Sequence, residues 1–97
     1  MRGRLLAAIL CSFFLGCVPI GRDFPVTPVR NIQNNVTTQQ EIFANFGEPV
    51  RRGLENGLET WTYSYHYYEL AQLKDSKELH IVFNKDNTVL SYSFTAR

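Results

Sequence analysis

The sequence predicts an α+β domain in which one or two short helices pack on a three-stranded antiparallel sheet. Three observations carry this. Thr60–Tyr67 alternates aromatic and small polar residues with the period of two that marks a strand covered on one face. Leu79–Phe83 and Thr88–Phe94 are further strand-like runs, joined by the tight turn Asn84–Asn87. Thr38–Pro49 carries helix start and stop signals around an apolar stripe, and a helix beside antiparallel strands makes a two-layer arrangement.

The helix is bounded by local chemistry. In Thr38-Gln39-Gln40-Glu41 the Thr38 hydroxyl is placed to accept the Glu41 backbone N–H while the Glu41 side chain returns to the Thr38 N–H, a capping box. Gly47 suits the residue that closes a helix and Pro49 prevents its continuation, which predicts a helix over Gln39–Phe46. Ile42, Phe43 and Phe46 form its apolar stripe. Two turns are too few for stability in isolation, because helices shorter than about 12 residues are marginal in water. Packing must hold it. Trp61, Tyr63, Tyr65 and Tyr67 share one face of the first strand and are expected to receive Phe43 and Phe46 there. Asn56-Gly57 is a hairpin turn signal, so Arg51–Leu54 is expected to form a short extension paired to that strand. Glu69–Lys77 is polar, with Leu70 and Leu73 its only large apolar residues, and reads as a connection longer than a tight hairpin.

The amino-terminal segment bears on location. Arg2 and Arg4 precede an apolar run, Leu5–Leu15, and then Gly16-Cys17, the pattern of a secretory signal peptide. Eleven residues of helix span about 16 Å at about 1.5 Å per residue, well short of the ~30 Å hydrocarbon core. Phe14-Leu15-Gly16-Cys17 resembles the bacterial lipobox, in which the cysteine is acylated and the bond before it is cut. A cleaved signal without lipid and an uncleaved anchor are the other readings of the same residues. The predicted organisation is a lipoprotein signal peptide over 1–16, a lipidated amino terminus and extended Pro-containing tether over 17–30, and a domain over 31–97. The tether reading rests on Pro19, Gly21, Pro25 and Pro28 and on the absence of apolar periodicity. Extended docking on a partner protein is its alternative. Cys11 leaves with the signal, so the mature chain holds one cysteine and no internal disulfide. Val18 stands where an Asp would retain such a protein in the inner membrane, which favours the outer membrane.

Removal of Arg2 and Arg4 from the 10 Lys and Arg leaves 8 against 9 acidic residues, a net charge of minus one. This is no nucleic-acid footprint. A mature chain of 97 less 16, or 81, residues allows one small domain.

Val36-Thr-Thr-Gln-Gln-Glu-Ile-Phe-Ala-Asn-Phe-Gly-Glu-Pro49, then Thr60-Trp-Thr-Tyr63, Leu79–Phe83 and Asp86–Val89, following a lipobox, resemble the SmpA/OmlA (BamE-like) family of small outer-membrane lipoproteins over about Asn31–Phe94. The order of these segments, more than any one of them, carries the resemblance. It implies helices on a three-stranded antiparallel sheet, a layer also found in secreted β-lactamase-inhibitor proteins. Where the family has Gly before the second helix this chain has Asn34-Asn35, and Asn tolerates the left-handed backbone next best. Val29–Asn35 has room for no more than one turn of the family's first helix.

Catalytic chemistry finds no foothold. His66 and His80 lack Cys, Asp or Glu at ligand spacing, Ser91 and Ser93 lack the turn that presents a nucleophile, and Glu55 and Glu59 read as a solvated loop. The expectation is a non-enzyme with no cofactor and no metal. Cys17 is the predicted lipidation site. Arg51, Arg52, Tyr65, Tyr67 and Tyr68 are the candidate surface for a protein partner or for anionic lipid head groups, since exposed Tyr and Arg favour interfaces. The expected function is an outer-membrane lipoprotein facing the periplasm that supports envelope integrity, with barrel-assembly subunits as the partners the resemblance implies. The alternative is a lipid-anchored binding or inhibitor module acting on a periplasmic enzyme.

Overall fold

The computed structural model describes residues 16–97; the basic head and the apolar run Leu5–Leu15 lie outside the described residues. Within them are five strands, β1 (Cys17–Gly21), β2 (Arg51–Glu55), β3 (Leu58–Glu69), β4 (Gln72–Phe83) and β5 (Val89–Ala96), with one α-helix, α1 (Gln39–Phe46), and a 3-10 helix at Thr27–Asn31. The fold is α+β with a helix on an antiparallel sheet. That sheet has five strands where the sequence predicts three.

β3 organises it. One edge pairs with β4, from Thr60↔Val82 to Glu69↔Gln72. The other edge is divided: β2 pairs with Leu58–Thr62 and β1 with Tyr65–Glu69. β5 extends the sheet beyond β4. β2 is the expected extension, turned back by Asn56 and Gly57 at φ 53° and 81°, the doubly positive geometry of a type I′ hairpin.

Two connections correct the sequence reading. Glu69–Lys77 is no long connector, because β3 and β4 run on to a two-residue turn at Leu70 and Ala71, with φ of 50° and 64°. Neither residue is the Asn or Gly such a turn favours, and each carries a cost of about 1–2 kcal/mol for left-handed backbone. Residues 17–30 are likewise no free tether. Cys17–Gly21 pairs with β3, and Phe24, Val29 and Ile32 enter the core. Pro19 is tolerated because β1 is an edge strand, and Pro28 fits the first turn of the 3-10 helix. Gly21 is required where β1 ends: its φ is +85°, and a Cβ there would collide with the Ser64 carbonyl oxygen. The chain can then leave the sheet beside Ser64, whose carbonyl accepts the Arg22 N–H at 3.1 Å.

α1 forms where its caps place it. The Thr38 hydroxyl accepts the Glu41 N–H at 3.2 Å, and the Gly47 N–H donates to the Phe43 carbonyl at 2.8 Å. Of the reciprocal capping box only the hydroxyl arm forms. Asn35 is left-handed, at φ 65°. The segment before the helix is pinned to the start of β5: the Asn35 N–H donates to the Val89 carbonyl, and the Val89 N–H to the Thr37 carbonyl at 2.8 Å.

Ile42 and Phe46 are buried against the sheet. Phe43 is 46% exposed, contrary to the expected three-residue stripe, because one position along a helix is a rotation of about 100°. The helix face of β3 carries a row of aromatic contacts. Trp61 packs edge-on to Phe83 with centroids 5.0 Å apart, and Tyr63 meets Phe46 at 5.6 Å and Phe24 at 5.9 Å. Trp61 and Tyr63 are buried as expected, while Tyr65 packs only on the core's margin. The Tyr63 hydroxyl donates to the Gly47 carbonyl at 2.8 Å, tying the end of α1 to the sheet. Burial, and secondarily the nearby Glu48 charge, raises its pKa well above the usual phenol range.

Two substitutions test this core. Trp61→Ala is expected to cost about 3–5 kcal/mol, and Tyr63→Phe, which deletes only the hydroxyl, about 0.5–1.5 kcal/mol. Both are read as shifts of the denaturant midpoint. A near-zero cost for Trp61→Ala would place that ring on the surface.

Candidate functional site

The predicted site residues fall at two ends of the sheet. Cys17 opens β1 opposite Glu69, beside the β3–β4 turn, and its side chain is exposed. Arg51 and Arg52 open β2 opposite Thr62 and Trp61. Tyr68 lies six residues beyond Thr62 on β3, about 20 Å at about 3.3 Å per residue. The two arginines and the tyrosines therefore do not make the single surface that sequence proximity implied.

At the Cys17 end, register sorts the side chains by face. Directly paired residues of an antiparallel sheet project to the same side. Cys17, Pro19, Tyr67 and Glu69 share the helix-side face, and Val18, Ile20, His66 and Tyr68 share the other. The Cys17 sulfur, by accepting a hydrogen bond from the Tyr67 hydroxyl, and to a lesser degree burial and nearby negative groups push the Tyr67 phenol up to about 12. The Leu70 N–H donates to the Gly16 carbonyl at 2.6 Å, so the residue before the cysteine is held against the turn.

Lys77 fixes this end of the chain in position. Its ammonium, on a side chain only 14% exposed, pairs with Asp23 at 2.5 Å and donates to the Phe24 carbonyl at 2.7 Å. It also lies over the Phe24 and Tyr65 rings, at 5.1 and 5.6 Å. One β4 side chain thereby clamps the segment that follows β1. Sequence reasoning missed Lys77 and Phe24; the only signal was a lone Phe in a Pro-containing stretch.

At the opposite end Arg52 spans two partners. It forms an ion pair with Glu48 at 2.8 Å, and its guanidinium lies 4.8 Å from the Trp61 ring centroid. Phe43 meets Trp61 edge-on at 6.3 Å, and Gln39, Gln40, Phe43, Arg52 and Trp61 line a shallow cleft. The Trp61 indole N–H is satisfied by Glu59 at 2.7 Å, so Glu59 is a partner of the core and Glu55 a strand residue, not members of a loop.

The histidines are cross-strand partners of hydroxyls. His80 Nδ1 shares a hydrogen bond with Thr62 at 2.9 Å and His66 Nδ1 with Ser76 at 2.8 Å; Glu55 approaches His80 Nε2 at 3.5 Å. Among the described residues no group of three or more His, Cys, Asp or Glu is placed to hold a metal ion. No helix among them is long and apolar enough to cross a membrane.

No protein-family model matches the chain, and no curated protein matches it. The likeness to the SmpA/OmlA family thus rests on the residues quoted for it.

The clamp has a pH signature. The hydrogen bond from Lys77, aided by its charge, holds the Asp23 carboxyl below the ordinary range and outweighs the opposing effect of burial. A carboxyl lowered in the folded state contributes stability that is complete above its unfolded pKa of about 3.9 and is lost as pH falls through the folded value. An NMR titration of the Asp23 side-chain carbon is expected to show a midpoint below that of an unfolded peptide, returning to the ordinary value in Lys77→Met. An ordinary midpoint in the native protein would mean that the clamp is open in solution.

Proposed function

We propose that this protein is a lipid-anchored, non-enzymatic lipoprotein of the outer membrane that faces the periplasm and supports envelope integrity, as an accessory of β-barrel assembly or of another envelope complex. The observation that carries the reading is Phe14-Leu15-Gly16-Cys17 behind a basic head and an apolar run. Acylation requires access to the sulfur, and the exposed Cys17 at the margin of the sheet is consistent with it. A diacylglycerol plus an amide-linked chain holds firmly, because each buried methylene contributes about 0.8 kcal/mol.

The likeness to the SmpA/OmlA family supports the envelope role. The Arg52–Trp61–Phe43 cleft supports a partner surface, since Arg and aromatic residues on the margin of a core are what protein interfaces favour. This surface lies at the end of the sheet away from Cys17, where a periplasmic protein reaches it without meeting the bilayer. In this reading the cleft takes the partner role given in the sequence analysis to Tyr65, Tyr67 and Tyr68.

Cys17→Ala is expected to leave an uncleaved or mislocalised precursor that takes up no fatty-acid analogue; a mutant still tagged would sink the lipobox. Affinity capture from detergent-solubilised envelopes is expected to recover barrel-assembly or other envelope subunits, and to recover far less of them with Arg52→Glu. Recovery of a periplasmic hydrolase instead would favour the inhibitor reading.

A further inference from the structure

The tip of the β3–β4 hairpin is apolar without a structural reason. Leu70 is 81% exposed and, with Ala71, occupies the two left-handed positions of the turn, where Asn-Gly would relieve the backbone. Local strain of this kind is retained where something other than folding selects the side chain. The adjacent sheet face continues the apolar surface: Val18 and Ile20 on β1 are exposed, Ile20 by 52%, and sit opposite Tyr68 and His66, while Leu73 pairs with Tyr68 from β4. A shallow depression lined by Gly16, Val18, Ile20, Tyr68 and Ala71 joins strand and tip. The acidic residues of this end, Glu69 and Asp75, pair with Cys17 and Tyr67 and so project from the opposite face.

We propose that Leu70, Ala71 and the neighbouring face of Val18, Ile20, Tyr68 and Leu73 rest on the lipid bilayer, holding the sheet against the membrane at its hairpin end. The inference builds on the membrane anchorage proposed above. What identifies the occupant is the chain itself. The acylation site Cys17 itself begins β1, with no spacer between it and the sheet. Cys17 pairs with Glu69, the residue before Leu70, so whatever holds Cys17 in the bilayer brings the tip to the same surface. The exposed cations Lys74 and Arg97 flank the patch and suit anionic head groups. At the other end of β4, twelve residues or about 40 Å away, the β4–β5 turn at Lys85 stands clear of the bilayer.

The test uses the mature lipoprotein in vesicles of phosphatidylethanolamine and phosphatidylglycerol. Acylation consumes the thiol of Cys17, so a variant with one added cysteine takes up a single thiol-reactive fluorophore. Fluorophores at Leu70→Cys and Lys85→Cys are compared for quenching by nitroxide-bearing lipid. Quenching several-fold stronger at 70 than at 85 is expected. Equal quenching in protein that floats with the vesicles and carries one label overturns the docking and leaves the anchor intact. Protein that does not float and takes two labels refutes the anchor, and the docking falls with it. A second variant removes only the apolar tip: Leu70→Asn with Ala71→Gly is expected to raise the denaturant midpoint while a fluorophore at Val18→Cys loses most of its quenching. Undiminished quenching at Val18 would show that the tip does not make the contact.

Discussion

The structure depends on how one edge of β3 is shared. β2 occupies its first five positions and β1 its last five, leaving Tyr63 and Ser64 at the junction. Every other element follows from that division. The chain departs at Gly21, crosses the helix-side face as a 3-10 helix and α1, and rejoins the same edge at Arg51. The covering layer is therefore an insertion between two short edge strands, fastened at both ends. Arg22 and Val50 donate to the Ser64 and Thr62 carbonyls, at 3.1 and 2.9 Å, on either side of the junction.

Beneath that crossing lies the row of rings on β3, and its composition explains why a two-turn helix suffices. α1 contributes only Ile42 and Phe46 to the interior, yet Phe24 arrives from the opposite direction to meet both Phe46 and Tyr63. Each cover segment is short, and each is held by a specific polar tie: the Tyr63 hydroxyl on the end of α1 and Lys77 on the backbone at Phe24. Small domains have little apolar area to bury, so such ties matter more here than in a larger protein.

Local signals made part of this legible. Thr38, Gly47 and Pro49 bound α1 through contacts within a few residues of themselves, and Asn56-Gly57 sets β2 on β3. The remainder depends on distant pairing. Leu70-Ala71 carries no turn chemistry, so the long hairpin was hidden behind a polar stretch, and β1 looked like a linker because its partner lies about fifty residues on. The site was half legible for the same reason. Cys17 stands out by its own context, whereas the contact of Arg52 with Trp61 arises from hairpin register and the separation of Arg51 from Tyr68 from the length of β3. The consequence is a domain with two unlike ends, an apolar one beside Cys17 and a cationic-aromatic one at the far side.

The division of the β3 edge is open to direct observation in the protein held in detergent micelles. Cross-strand nuclear Overhauser effects between Val18 and Tyr68 and between Ile20 and His66, together with extended-strand chemical shifts over Cys17–Gly21, are the predicted result. Random-coil shifts over the same five residues, with no contact to β3, would contradict it and restore a free tether ahead of the domain.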